Sequence, residues 1–139
     1  AIVFFDPERA REMPFIRKRA AQLFSKSRFI AAQFDAYFEN GLWLDLARHS
    51  NGMSDRLRAG IGASNAARLA WPTASNEVFA VISKSAAKTA EERGAKFYAW
   101  PVPAAMPELV ADGETLIRLV TSFATTEADV DGFLKCLAA

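Results

Sequence analysis

The chain has 139 residues, enough for one domain with a single core, and at 51% hydrophobic and 24% charged it has the balance of a globular protein. Its 17 basic and 16 acidic side chains nearly cancel, which argues against a nucleic-acid-binding field over the whole surface. The single cysteine, Cys136, excludes an internal disulfide. No apolar run approaches the ~18–20 residues of a membrane-spanning helix.

In chain order, residues 1–5 have the composition of a strand, ended by Asp6-Pro7. A hydrophobic strand at an extreme terminus is poorly protected unless it joins an existing sheet, so a preceding segment is expected. Residues 8–24 are basic and helical in composition, with Pro14 starting or kinking a segment. Ser25 and Ser27 in "FSKS" are candidate caps for a helix over 27–39, whose apolar face carries Ile30, Phe34, Tyr37 and Phe38. Asn40-Gly41 stops it. A longer helix is predicted over 42–61, with Leu42, Leu46, Met53, Leu57 and Ile61 along one side.

The pattern then changes. "ARLAWPT" (67–73) and "EVFAVIS" (77–83) are predicted strands, followed by a helix over 84–93 that Gly94 ends. "KFYAWPV" (96–102) and "ETLIRLVTSF" (114–123) supply two more strands. Thr126 opens a capping box with Asp129, and Val130, Phe133, Leu134 and Leu137 form the stripe of a last helix. Cys136 lies beside that stripe, as an inert buried thiol would. The expected fold class is α/β of the α+β small-domain kind: a helical segment leading into a ββαββα layer, a small antiparallel or mixed sheet covered by helices.

Arg118 interrupts the last strand. Alternation groups Leu116, Arg118 and Val120 on one face and Ile117, Leu119 and Thr121 on the other, so both faces are largely apolar. An unpaired guanidinium there would cost several kcal/mol. Three readings remain open: a sheet-edge arginine that snorkels outward, an ion pair with Asp112 or Glu114, or a clamp for a ligand carboxylate.

"RLVTSFATTEADVDGFLKCL" and "ARHSNGMSDRL" resemble the C-terminal end of the low-specificity L-threonine aldolase family, pyridoxal-phosphate enzymes of the fold-type-I aminotransferase-like superfamily. "AIVFFDP" is similar to that family's large-domain strand after its cofactor-linking lysine. The resemblance implies that residues 1–26 are the tail of the large domain and residues 27–139 the small domain. It also implies that the linking lysine precedes Ala1, so this chain carries no catalytic residue of its own and should not catalyse alone. Arg118 matches the arginine that holds the substrate α-carboxylate. "FSKSR" stands where many relatives have a glycine-rich "GGGMR", which makes Arg28, and with it Lys26, the cofactor-binding candidates at the start of the 27–39 helix. The implied reaction is retro-aldol cleavage of β-hydroxy-α-amino acids to glycine and an aldehyde, in a cytoplasmic homodimer or homotetramer with no nucleic-acid or membrane partner. The rival reading is a non-catalytic α+β domain that binds an amino acid.

The residues themselves leave the basic cluster Arg9, Arg11, Arg17, Lys18, Arg19, Lys26 and Arg28 open between a solvated helix face, a nucleic-acid-binding helix and an anion site. His49, the only histidine, is expected on the packed side of its helix as a hydrogen-bonded residue. Without a second His or Cys at ligand spacing, no metal site is expected.

Overall fold

A computed structural model describes residues 2–137, which divide into two compact units, Ala1–Leu42 and Trp43–Ala139. In the first unit the expected strand over 1–5 does not form among the described residues: 2–4 have no regular structure, and Phe5 and Asp6 bend. Every regular element of this unit is helical, so no neighbouring strand is present to take the backbone hydrogen bonds a strand requires. Asp6 instead caps helix α1 (Pro7–Ala10), its carboxylate accepting from the Glu8 N–H at 3.0 Å. Pro14 sits in the first turn of α2 (Met13–Arg19), where its missing N–H costs nothing.

Helix α3 (Ser27–Phe38) starts from Lys26 without a side-chain cap, so neither Ser25 nor Ser27 takes the capping role expected of it. Its end matches the Asn40-Gly41 signal. Asn40 (φ 51°) and Gly41 (φ 76°) are both left-handed, which breaks the helical hydrogen-bond ladder.

The second unit holds α4 (Leu42–Gly62, beginning at the unit boundary), β1 (Ala67–Leu69), β2 (Glu77–Ser83), α5 (Lys84–Glu92), β3 (Tyr98–Ala99), β4 (Glu114–Val120) and α6 (Glu127–Leu137). This is the predicted ββαββα order. The sheet runs β1-β2-β4-β3 with all neighbours antiparallel, so β2 and β3 are parallel strands with β4 between them. The connection through α5 carries the chain across β4 and leaves β4 central, which is what brings Arg118 between two flanking strands.

Three strands are shorter than their apolar runs. β1 ends at Leu69, and Trp71 packs on Phe79 at 4.7 Å between ring centroids. β3 keeps only two residues because Phe97 packs towards Phe133 (6.1 Å) and Pro101 has no N–H to donate. β4 stops at Val120, after which Ser122 and Thr125 close a turn, the Ser122 N–H donating to Thr125 Oγ1 at 2.9 Å.

The core lies on one face of the sheet. Val78, Ala80, Ile82, Ile117 and Leu119 pack there with Leu57 and Ile61 of α4 and Val130 and Leu137 of α6. The α6 capping box forms as expected: Thr126 Oγ1 accepts from the Asp129 N–H (3.2 Å), and the Asp129 carboxylate accepts from the Thr126 N–H (2.8 Å). Cys136 is buried and donates to the Gly132 carbonyl oxygen at 3.3 Å. The opposite face carries a smaller cluster, Phe79, Val81 and Leu116 with Trp71 and Leu109. Arg118 stands on this second face.

Candidate functional site

The site follows from strand register. On β4, Arg118 faces Phe79 of β2 on one side and Tyr98 of β3 on the other. Glu77 lies two residues before Phe79 and therefore shares its face, diagonal to Arg118. The guanidinium lies 4.6 Å from the Trp100 ring centroid and 5.7 Å from that of Tyr98, so two aromatic rings define its position. Trp100 is held by its own N–H, which donates to the Leu116 carbonyl oxygen at 2.8 Å, and by an edge contact with Phe79 at 5.5 Å.

The carboxylate beside Arg118 is Glu77, with Nη1 3.5 Å from Oε1. This corrects the expected partners, since Glu114 is taken by Arg68, whose Nη2 donates to it at 2.7 Å. The contact with Glu77 is an ion pair without a hydrogen bond. The Arg118 guanidinium makes no hydrogen bond within the described residues, and its Nε is buried with no partner.

Its neighbours behave otherwise. Arg56 grips Asp131 through Nε and Nη2, both at 2.9 Å. Arg58, only 14% exposed, donates to Thr73 Oγ1, to the carbonyls of Ser75 and Glu77, to Ser54 and to Asp55. A half-buried arginine that leaves its hydrogen-bonding capacity unused is the exception on this sheet. An unsatisfied buried donor costs about 1–3 kcal/mol, so its retention calls for a reason. A cavity of about 370 Å³ is lined by Arg118, Lys96, Glu91, Tyr98, Phe97 and Val120, so Arg118 borders open space that it shares with a second cation and one acid. A larger cavity, about 660 Å³, lies on the helical side of the sheet against Leu57, Val130 and Phe133, and Arg118 takes no part in it.

Lys26 and Arg28 both sit at the start of α3, exposed, with no acidic residue in that helix's first turn and no side-chain cap on its N–H groups. The Arg28 guanidinium lies 5.0 Å from the Phe29 ring centroid. Two cations beside uncapped helix N–H groups are a donor set that suits a phosphate. Of the remaining basic cluster, Arg9 and Arg11 have loose acid partners at 3.5 and 3.9 Å, and Arg17 donates to the Gln22 carbonyl oxygen at 3.0 Å. Lys26 and Arg28 belong to the first unit and Arg118 to the second.

His49 is hydrogen-bonded as expected, but it is not packed. It is on the exposed side of α4, not the packed side, and its Nε2 lies 2.7 Å from the Thr125 carbonyl oxygen, which makes Nε2 the protonated nitrogen. Among the described residues no cluster of three or more His, Cys, Asp or Glu side chains could hold a metal ion. No described helix is long and apolar enough to cross a membrane. Glu77, Tyr98 and Trp100 escaped the sequence reading. The aromatic pair in "KFYAW" was visible, but its bearing on Arg118 depends on β3 lying beside β4.

Fold and site together define an antiparallel α+β domain of the kind found in the C-terminal region of fold-type-I enzymes, presenting one half-buried arginine without a hydrogen bond beside a cavity. Comparison with known proteins gives the particular kin. Two curated proteins, the low specificity L-threonine aldolases of a Pseudomonas species and of Pseudomonas aeruginosa, are each 33% identical to this chain over 98 residues, which is 70% of the chain. The chain spans 28% of the length of each. A solved structure of Leishmania major threonine aldolase superposes with a TM-score of 0.78 at 28% identity, over 92% of this chain and 35% of that one. No protein-family model matches. The resemblance to threonine aldolases read from the sequence is thus borne out, and so is the fold class.

Proposed function

We propose that the chain is the C-terminal part of a pyridoxal-phosphate-dependent aldolase that cleaves β-hydroxy-α-amino acids such as threonine to glycine and an aldehyde. In this reading residues 1–26 are the tail of a large cofactor-binding domain and residues 27–139 the small domain of a cytoplasmic homo-oligomer. The cofactor, when bound, supplies the electron sink for carbon–carbon cleavage. The donor set at the start of α3 fits its phosphate, with Arg28 and Lys26 as the residues that would hold it.

Arg118 binds and orients. A guanidinium keeps its charge across the physiological range and grips a carboxylate through parallel N–H donors. Fixing the substrate carboxylate restricts rotation about the Cα–N bond and decides which bond at Cα is presented for cleavage. Trp100 and Tyr98 hold the guanidinium in position, so little ordering remains to be done when the substrate arrives.

The observation that carries this reading is the half-buried fork of Arg118, which makes no hydrogen bond within the chain and borders a cavity. In the full-length protein, Arg118→Ala should lower kcat/KM for threonine about 30-fold or more, since removing one partner of a buried charge pair costs about 2–5 kcal/mol. The melting temperature should change little, because that guanidinium makes no hydrogen bond within the described residues and its ion pair with Glu77 is half-exposed. Near-wild-type kcat/KM in this variant would overturn the assignment.

A further inference from the structure

We propose that Glu77 is an internal competitor for the Arg118 guanidinium, holding the fork while no ligand acid is present and giving it up when one binds. The inference rests on reading Arg118 as a carboxylate clamp.

A carboxylate can grip a guanidinium through two pairs of donors: Nε with one Nη, or the two Nη nitrogens end-on. The first pair is closed here, because Arg118 Nε is buried. Only the end-on pair is within a ligand's reach, and at that end Glu77 Oε1 stands 3.5 Å from Nη1. Glu77 does not line the cavity beside Arg118, but a carboxylate that takes both Nη nitrogens must share Nη1 with it, and the two negative groups then repel.

The geometry favours displacement of Glu77 over movement of Arg118. The Arg118 guanidinium is flanked by Trp100 and Tyr98, and its side chain is 27% exposed. The Glu77 side chain is 42% exposed and has no hydrogen bond of its own. Its backbone is fixed separately: residue 77 pairs with Val120 in the sheet, and its carbonyl oxygen accepts from Arg58 Nη1 at 3.3 Å. The carboxylate can thus swing into solvent while the strand stays still. A contact of this length holds the empty fork without competing strongly for it.

The test compares glycine binding to the full-length protein and to its Glu77→Gln variant by titration calorimetry, with Arg118→Ala as the control. Glutamine keeps the shape and an acceptor oxygen but removes the charge. A half-exposed ion pair is worth about 0.2–1 kcal/mol, so Glu77→Gln should tighten glycine binding about 1.5- to 5-fold, and Glu77→Ala should shift it in the same direction. Unchanged or weaker binding in both Glu77 variants, with binding lost in Arg118→Ala, would overturn the competitor role and leave the clamp standing. Undiminished binding in Arg118→Ala would overturn the clamp and with it this inference.

Discussion

Arg68 and Arg118 lie on the same sheet, and their surroundings divide structural from functional charge. Arg68 holds Glu114 with both Nη nitrogens, and the Glu114 carboxylate also accepts from the Ala111 N–H at 2.9 Å. The hydrogen bonds from Arg68, then that from Ala111, lower the Glu114 pKa from 4.5 to about 2. A carboxyl group whose pKa is depressed in the folded state stabilises the fold above its unfolded pKa. That contribution is lost as the pH falls through the folded value. Glu114→Gln should therefore lower the melting temperature at pH 7, and the gap from wild type should close between pH 4.5 and about 2. A gap that persists unchanged at pH 2 would show that the pair acts through something other than charge. Glu77 beside Arg118 was out of reach from sequence for the same reason that Glu114 looked like its partner. Glu114 begins β4 itself, four residues before Arg118 and so about 13 Å along the strand, while the β2–β4 register, Phe79 opposite Arg118, is what brings Glu77 to the guanidinium.

At the scale of elements, Gly60 shows packing overruling helix propensity. Glycine inside a helix costs about 1 kcal/mol relative to alanine, yet α4 carries one where it meets α6. A Cβ at Gly60 would lie 2.2 Å from Leu134 Cδ1 and 2.8 Å from Cδ2, so the leucine must move or be strained. Overpacking of this kind costs about 1–3 kcal/mol, more than the propensity gain. Gly60→Ala should then destabilise the wild-type protein by about 1 kcal/mol and stabilise a Leu134→Ala background by a similar amount, as read by urea denaturation. The same sign in both backgrounds would mean that the two helices do not press on each other there. The periodicity of α4 and α6 was legible because a 3.6-residue stripe needs only its own sequence. The lengths of β1 and β3 were not, since "ARLAWPT" and "KFYAWPV" are apolar throughout, and Trp71 and Phe97 leave the strand direction to reach aromatic partners elsewhere.

Across the whole molecule, apolar side chains are treated differently in the two units. In the second, Ile61, Val78, Ala80, Ile117 and others are fully buried, whereas no described residue of the first is buried. Phe5, Phe15, Phe29 and Phe38 are 98%, 64%, 58% and 54% exposed, an apolar surface that a free chain has no means to hide. The terminal run "AIVFFDP" raised the same issue in the sequence: it has the composition of a strand and no strand beside it. Amide exchange measures the consequence directly, since protection follows local opening and the openings that cost most free energy expose the core. In the 139-residue chain, the amides of β2 and β4 should exchange slowest, while those of α1–α3 exchange at rates near those of an unstructured peptide. In the full-length protein of the proposed aldolase, where a large domain would cover these aromatic side chains, α1–α3 should gain at least about tenfold protection, equivalent to ~1.4 kcal/mol. Equal exchange of α1–α3 in the two proteins would contradict the assignment of this segment to the join between a large and a small domain. Strong protection of α1–α3 in the 139-residue chain itself would mean that its helices are stabilised without a core, by hydrogen bonding and short-range pairs alone.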